Sequence, residues 1–87
     1  MISDKVLIRV QHDGKDVFSE VISNDDFHDA LDIIDGIMTE RKLSNGWSVK
    51  SELHDPAMHG NRPAMALDQL ASKFTESVSF FKHGERV

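Results

Sequence analysis

Two histidines and a carboxylate in one loop are the residues of this sequence best suited to bind a metal. His54, Asp55 and His59 fall within six residues, and zinc, nickel and copper accept these donor types. The spacing of five, with Pro56 between, does not give a helical i, i+4 pair, and catalytic zinc needs a third protein ligand. A solvated polar loop is the favoured interpretation. A metal-dependent or catalytic protein that uses this loop is the alternative.

The sequence lacks the residues and motifs of other common catalytic sites. The chain has no cysteine, which excludes thiol nucleophiles, disulfides and every cysteine-based zinc site. No serine lies in a Gly-x-Ser-x-Gly motif, and no glycine-rich loop could cradle a phosphate. We therefore expect a protein that is not an enzyme and has no cofactor.

Acidic residues are concentrated in one short segment. Residues 25–40 contain no Lys or Arg and carry a charge of −6, in a chain of net charge −5. The six acids are Asp25, Asp26, Asp29, Asp32, Asp35 and Glu40. Aspartate is a weak helix former, and like charges at helical spacing repel by a few tenths of a kcal/mol each. The cluster predicts a partner-binding surface that attracts a basic surface of a larger protein. A solvated helix face is the more common interpretation of such a pattern.

The overall charge and hydropathy argue against two other classes of partner. An acidic chain without a basic stripe lacks what direct binding to nucleic acid requires. No apolar run approaches the roughly 18 residues of a membrane span. Asp4 stands where a signal peptide would have basic residues, and no long apolar stretch follows it. We expect a cytoplasmic protein that binds neither nucleic acid nor membranes.

Three segments alternate with the period of two that is typical of strands. Lys5–Gln11 and Val17–Ile22 flank Asp13-Gly14, a dipeptide that favours a type I′ hairpin turn. With that turn, the expected cross-strand pairs are His12–Lys15, Val10–Val17, Ile8–Ser19 and Val6–Val21, and Phe18 and Ile22 fall on the other side with Leu7. Trp47–Leu53 is the third strand, and its apolar face predicts that Trp47 lies in the core.

Two segments show the three-to-four-residue spacing of amphipathic helices. The first follows Ser23 as N-cap, with Asp26 as the reciprocal residue of a capping box, and it ends at Arg41-Lys42. Its apolar stripe comprises Phe27, Ala30, Leu31, Ile33, Ile34, Ile37 and Met38. The second has Pro63 near its start and Gly84 at its end. Its stripe comprises Leu67, Leu70, Ala71, Phe74, Val78 and Phe81.

The element order β-β-α-β-α indicates one α+β domain over residues 1–87, with a small, mostly antiparallel three-stranded sheet packed against two helices. Phe80 and Met65 fall off the apolar stripe of the second helix, so Phe80 is a further candidate for partner contact. We expect a non-enzymatic interaction module, a small acidic regulator or inhibitor. A structural homodimer, built through Phe80 and Met65 or through an exposed strand edge, is the third hypothesis.

Overall fold

The computed structural model describes residues 4–43 and 45–85, with side chains up to residue 79. The strands are β1 (Lys5–His12), β2 (Lys15–Ser23) and β3 (Trp47–Leu53), and the helices are α1 (Phe27–Glu40), α2 (Pro56–His59) and α3 (Leu67–Glu85). The three strands form an antiparallel sheet in the order β2-β1-β3. The predicted α+β fold is confirmed, with the short α2 added inside the loop that follows β3.

The β1–β2 hairpin has the predicted turn but a different register. Asp13 and Gly14 have φ angles of 53° and 83°, as a type I′ turn requires. His12 pairs with Lys15, but a bulge at Val17 then places Phe18 opposite Val10. The predicted pairs Val10–Val17, Ile8–Ser19 and Val6–Val21 are therefore wrong, and so is the predicted side of Phe18 and Ile22. The bulge turns Phe18, and not the smaller Val17, toward the main core. There the Phe18 ring contacts that of Phe74 edge-on, with the centroids 5.2 Å apart.

The main core lies between the two long helices and the first two strands. β1 and β2 supply one side of it, and α1 and α3 supply the other. Its buried members are Val6, Ile8, Val10, Phe18, Ile22, Ala30, Ile34, Leu70, Phe74 and Val78. The helical members come from the stripes that the sequence predicts, so the amphipathic pattern places both helices on the sheet.

The opposite face of the sheet is covered by the chain between β3 and α3. Leu7 and Val21 pair across the strands and are buried, although they do not belong to the main core. The chain leaves β3 at one edge of the sheet and reaches the other edge at Met65, whose N–H donates to the Val21 carbonyl over 2.8 Å. Residues 54–65 therefore cross this second face, which makes the sheet buried on both sides along its centre.

β3 lies at the edge of the main core, so the prediction that Trp47 lies in the core is met only in part. Val49 is 37% exposed and Leu53 is 61% exposed, and Trp47 is half-buried at the edge of the core. The alternation of β3 is as expected, but the two helices pack over β1 and β2 and leave the apolar side of β3 uncovered.

The ends of both long helices differ from the expected positions. The Ser23 hydroxyl accepts from the Asp25 N–H at 3.3 Å, but it caps a single 3₁₀ turn (Asn24–Asp26) that precedes α1. The side chain of Asp26 makes no capping bond, so the predicted capping box is wrong. α3 begins at Leu67 because Met65 is still paired to β2, and it continues past Gly84. None of the described helices has both the length and the apolar character needed to cross a bilayer.

Candidate protein-interaction site

The acidic residues of segment 25–40 lie on the solvent side of α1 and of the turn before it. Ala30 and Ile34 anchor the opposite side of the helix in the core. Asp26 is half-buried, and the other five acids are exposed: Asp25, Asp29, Asp32, Asp35 and Glu40. We call these six residues the acidic face.

The carboxylates of the acidic face form no ion pair within residues 4–43 and 45–79. The ion pairs found there join other residues, among them Arg9 with Glu52 and Arg62 with Glu20. Asp29 and Asp32 in particular extend into solvent without an ion-pair partner in residues 4–43 and 45–79. Apart from the half-buried Asp26, the carboxylates of the acidic face are therefore exposed and form no ion pair with the described neighbours, and their charge is available to a partner.

Gly36 lies within α1 on the same exposed side. A Cβ atom built at this position would have no neighbour within 4 Å outside its own stretch of helix, so no packing contact in the described structure requires a glycine. A glycine inside a helix costs up to about 1 kcal/mol relative to alanine. Gly36 is therefore a feature of α1 that the stability of the fold does not explain.

The loop that sequence analysis singled out for metal chemistry folds around α2. The Asp55 carboxylate accepts a hydrogen bond from the Ala57 N–H over 3.0 Å and so caps this short helix. His59 Nδ1 accepts from the Asp55 N–H over 2.9 Å, which leaves Nε2 as the protonated nitrogen of the neutral ring. That Nε2 lies 3.4 Å from Glu52 Oε2.

The His54 side chain is likewise held by contacts within the loop. It is 4% exposed, and its Nε2 lies 2.9 Å from the Gly60 carbonyl oxygen. The rings of His54 and His59 stack with centroids 5.8 Å apart. Among the described residues no three His, Asp or Glu side chains are grouped as a metal site would require. The geometry gives both imidazoles a structural role in holding the loop over the sheet.

The structure also assigns roles that sequence analysis missed or could not reach. Arg62 donates to the Ser19 carbonyl oxygen over 2.8 Å, a contact between residues too distant in sequence for any local pattern to reveal. Met65 is half-buried against the core instead of exposed on a helix. The predicted contact residue Phe80 has its side chain outside the described residues.

Comparison with known protein families, with curated proteins and with solved structures gives no match to this chain. We therefore infer a function from the chain's own charges, contacts and edges.

Proposed function

We propose that this protein is a non-enzymatic interaction module whose acidic face binds a basic surface of a larger protein. The observation that carries the proposal is the exposure of Asp29 and Asp32 without a cation partner among the described residues. Acids placed only for solubility need not be clustered, and lysines interspersed among them would stabilise the helix.

The anchoring of α1 in the core suits this role. A helix of 14 residues is about 21 Å long at about 1.5 Å per residue, and α1 is held to the core by Ala30 and Ile34. The backbone positions of the carboxylates are therefore fixed before binding, which limits the entropy lost on association. Arginine and lysine side chains of a partner would form charge-assisted hydrogen bonds with these oxygens.

The partner class follows from charge. A concentrated negative field accelerates the encounter with a positively charged protein, and this effect weakens as salt is added. A groove that binds the phosphates of nucleic acid on another protein is such a surface, and a small acidic chain that occupies it acts as an inhibitor or regulator. Cytoplasmic function, to which the absence of cysteine is suited, is part of the proposal.

Paired charge-reversal variants test the proposal. The tagged protein is used to capture partners from its native host, and captured proteins are identified by mass spectrometry. Asp29→Lys with Asp32→Lys should lose the partner. Asp4→Lys with Glu76→Lys is the matched control, because both residues are exposed acids outside the acidic face and the change in net charge is the same.

We expect the wild type and the control variant to capture the same basic protein, and the acidic-face variant to capture at most about a tenth as much. Equal recovery by all three proteins would contradict the proposal. Equal loss in both variants would also contradict it, because binding would then depend on net charge and not on the acidic face.

A further inference from the structure

One edge of the sheet is covered by another part of the chain, and the other edge is open. The outer edge of β2 is closed, since Arg62 donates to the Ser19 carbonyl oxygen and the Met65 N–H donates to that of Val21. Along β3, by contrast, every residue from Ser48 to Leu53 is exposed. No described segment pairs with the outer edge of this strand. An open strand edge is a template for pairing with another chain.

The hydrogen bonds to β1 reveal which backbone groups of β3 face outward. His54 donates to the Lys5 carbonyl oxygen over 3.1 Å, and Gly46 accepts from the Asp13 N–H over 2.8 Å. In an antiparallel ladder the residues that bond to one neighbour alternate with those that bond to the other. The even-numbered residues of β3 therefore bond to β1, and Val49, Ser51 and Leu53 direct their N–H and C=O groups away from the sheet.

The side chains of β3 are self-complementary in one register. If a second copy pairs antiparallel about a two-fold axis at Ser51, Lys50 lies opposite Glu52 of that copy, and the reverse holds by symmetry. In the same register Val49 lies opposite Leu53 on the other face. An axis at Lys50 or at Glu52 would instead place like charges opposite each other, which is unfavourable.

We propose that β3 is a dimerisation edge, and that two copies of this chain join through it into one six-stranded antiparallel sheet in the register centred on Ser51. The occupant is a second copy because the opposite charges, the apolar pairs and the outward backbone groups all match in that register. The two-fold axis is perpendicular to the sheet, so the helices of both copies lie on one side. Val49 and Leu53, which are 37% and 61% exposed in the single chain, become covered by their counterparts.

Sedimentation velocity of the full chain, from about 1 µM to about 200 µM, tests this inference. The wild type should shift from the 9.8 kDa monomer to a species of twice that mass. Lys50→Glu creates two like-charge pairs in the dimer and should weaken it at least about ten-fold. Lys73→Glu, an equal charge change on the exposed side of α3, is the control and should leave dimerisation unchanged.

Mixing two variants tests the register itself. Lys50→Glu and Glu52→Lys should each be monomeric at concentrations where the wild type is dimeric, and an equimolar mixture should dimerise, because each heterodimer restores both opposite-charge pairs. Glu52 also contacts Arg9 and His59, so circular dichroism must show that its variant folds. Leu53→Glu is a second variant that should weaken the dimer. Its position is exposed, so the substitution does not disturb the hydrophobic core.

A wild type that stays monomeric across the whole range would overturn the inference. A dimer that Lys50→Glu and Leu53→Glu both leave intact would overturn it as well, because another surface would then hold the two copies together. Neither outcome bears on the acidic face of α1, which lies on a different element and is probed by different variants.

Discussion

The Nη2 atom of Arg62 lies 2.8 Å from the carbonyl oxygen of Ser19, so a side chain from the loop after α2 closes the outer edge of β2. The same nitrogen lies 3.1 Å from Glu20 Oε1. Together with the Met65–Val21 hydrogen bond, this contact holds the end of the crossing segment 54–65 against the strand.

Arg62→Ala should lower the free energy of unfolding by about 1–2 kcal/mol. Most of this comes from the lost charge-assisted hydrogen bond to the Ser19 carbonyl, because the ion pair with Glu20 is partly exposed and screened by water. Urea denaturation measures the change, with Lys73→Ala on the exposed side of α3 as the control. Equal stability of the two variants would show that the Arg62 contact contributes nothing.

Gly36→Ala should raise the free energy of unfolding by about 0.5–1 kcal/mol, because alanine is the better helix former and its Cβ meets no neighbour. Thermal unfolding should then show a higher midpoint. Gly46→Ala is the contrasting control: Gly46 has a φ of 83°, and a Cβ there would lie 2.5 Å from Asp13 Oδ1. We expect that variant to be destabilised. A loss of stability in Gly36→Ala would mean that α1 is packed differently from the structure described.

Asp29→Asn combined with Asp32→Asn should change the free energy of unfolding by less than about 1 kcal/mol. The neutral amides remove repulsion along the helix and break no ion pair among the described residues. This gain is offset by the loss of the favourable interaction between the Asp29 charge, in the first turn of α1, and the helix dipole. Chemical denaturation at low salt is the suitable measurement. Destabilisation by more than about 1 kcal/mol would indicate that the carboxylates support the fold, and the case for a docking surface would fail.

Addition of stoichiometric Zn²⁺ should leave the melting temperature unchanged. Binding through His59 would break the hydrogen bond that its Nδ1 accepts from the Asp55 N–H, and no third ligand is grouped with the two imidazoles among the described residues. Differential scanning calorimetry with and without the metal provides the comparison. A rise of several degrees that disappears in His59→Ala would restore the metal hypothesis for this loop.

The sequence was sufficient for the elements whose pattern is local. The apolar stripe of α1 is set by residues three and four apart, and the turn at Asp13-Gly14 is set by two residues that accept positive φ. Both were predicted correctly. The bulge at Val17 was not, because it depends on a distant side chain: Phe74 in α3 provides the buried site that Phe18 occupies.

The exposure of β3 could not be predicted for a related reason. Its alternation is the same whether or not a helix covers its apolar side, and the positions of α1 and α3 over β1 and β2 are decided by the tertiary packing. The acidic face could be predicted from the sequence only in part. Its side of α1 follows from periodicity, whereas the finding that its carboxylates form no ion pair among the described residues required coordinates.

The most direct test of the proposed function is the salt dependence of the affinity between this protein and the basic protein that it captures. Isothermal titration calorimetry over a range of NaCl concentrations should give a dissociation constant that rises steeply with salt for the wild type. For Asp29→Lys with Asp32→Lys the binding should be weaker and nearly independent of salt. An identical affinity and salt dependence in the two proteins would contradict a role for the acidic face in binding.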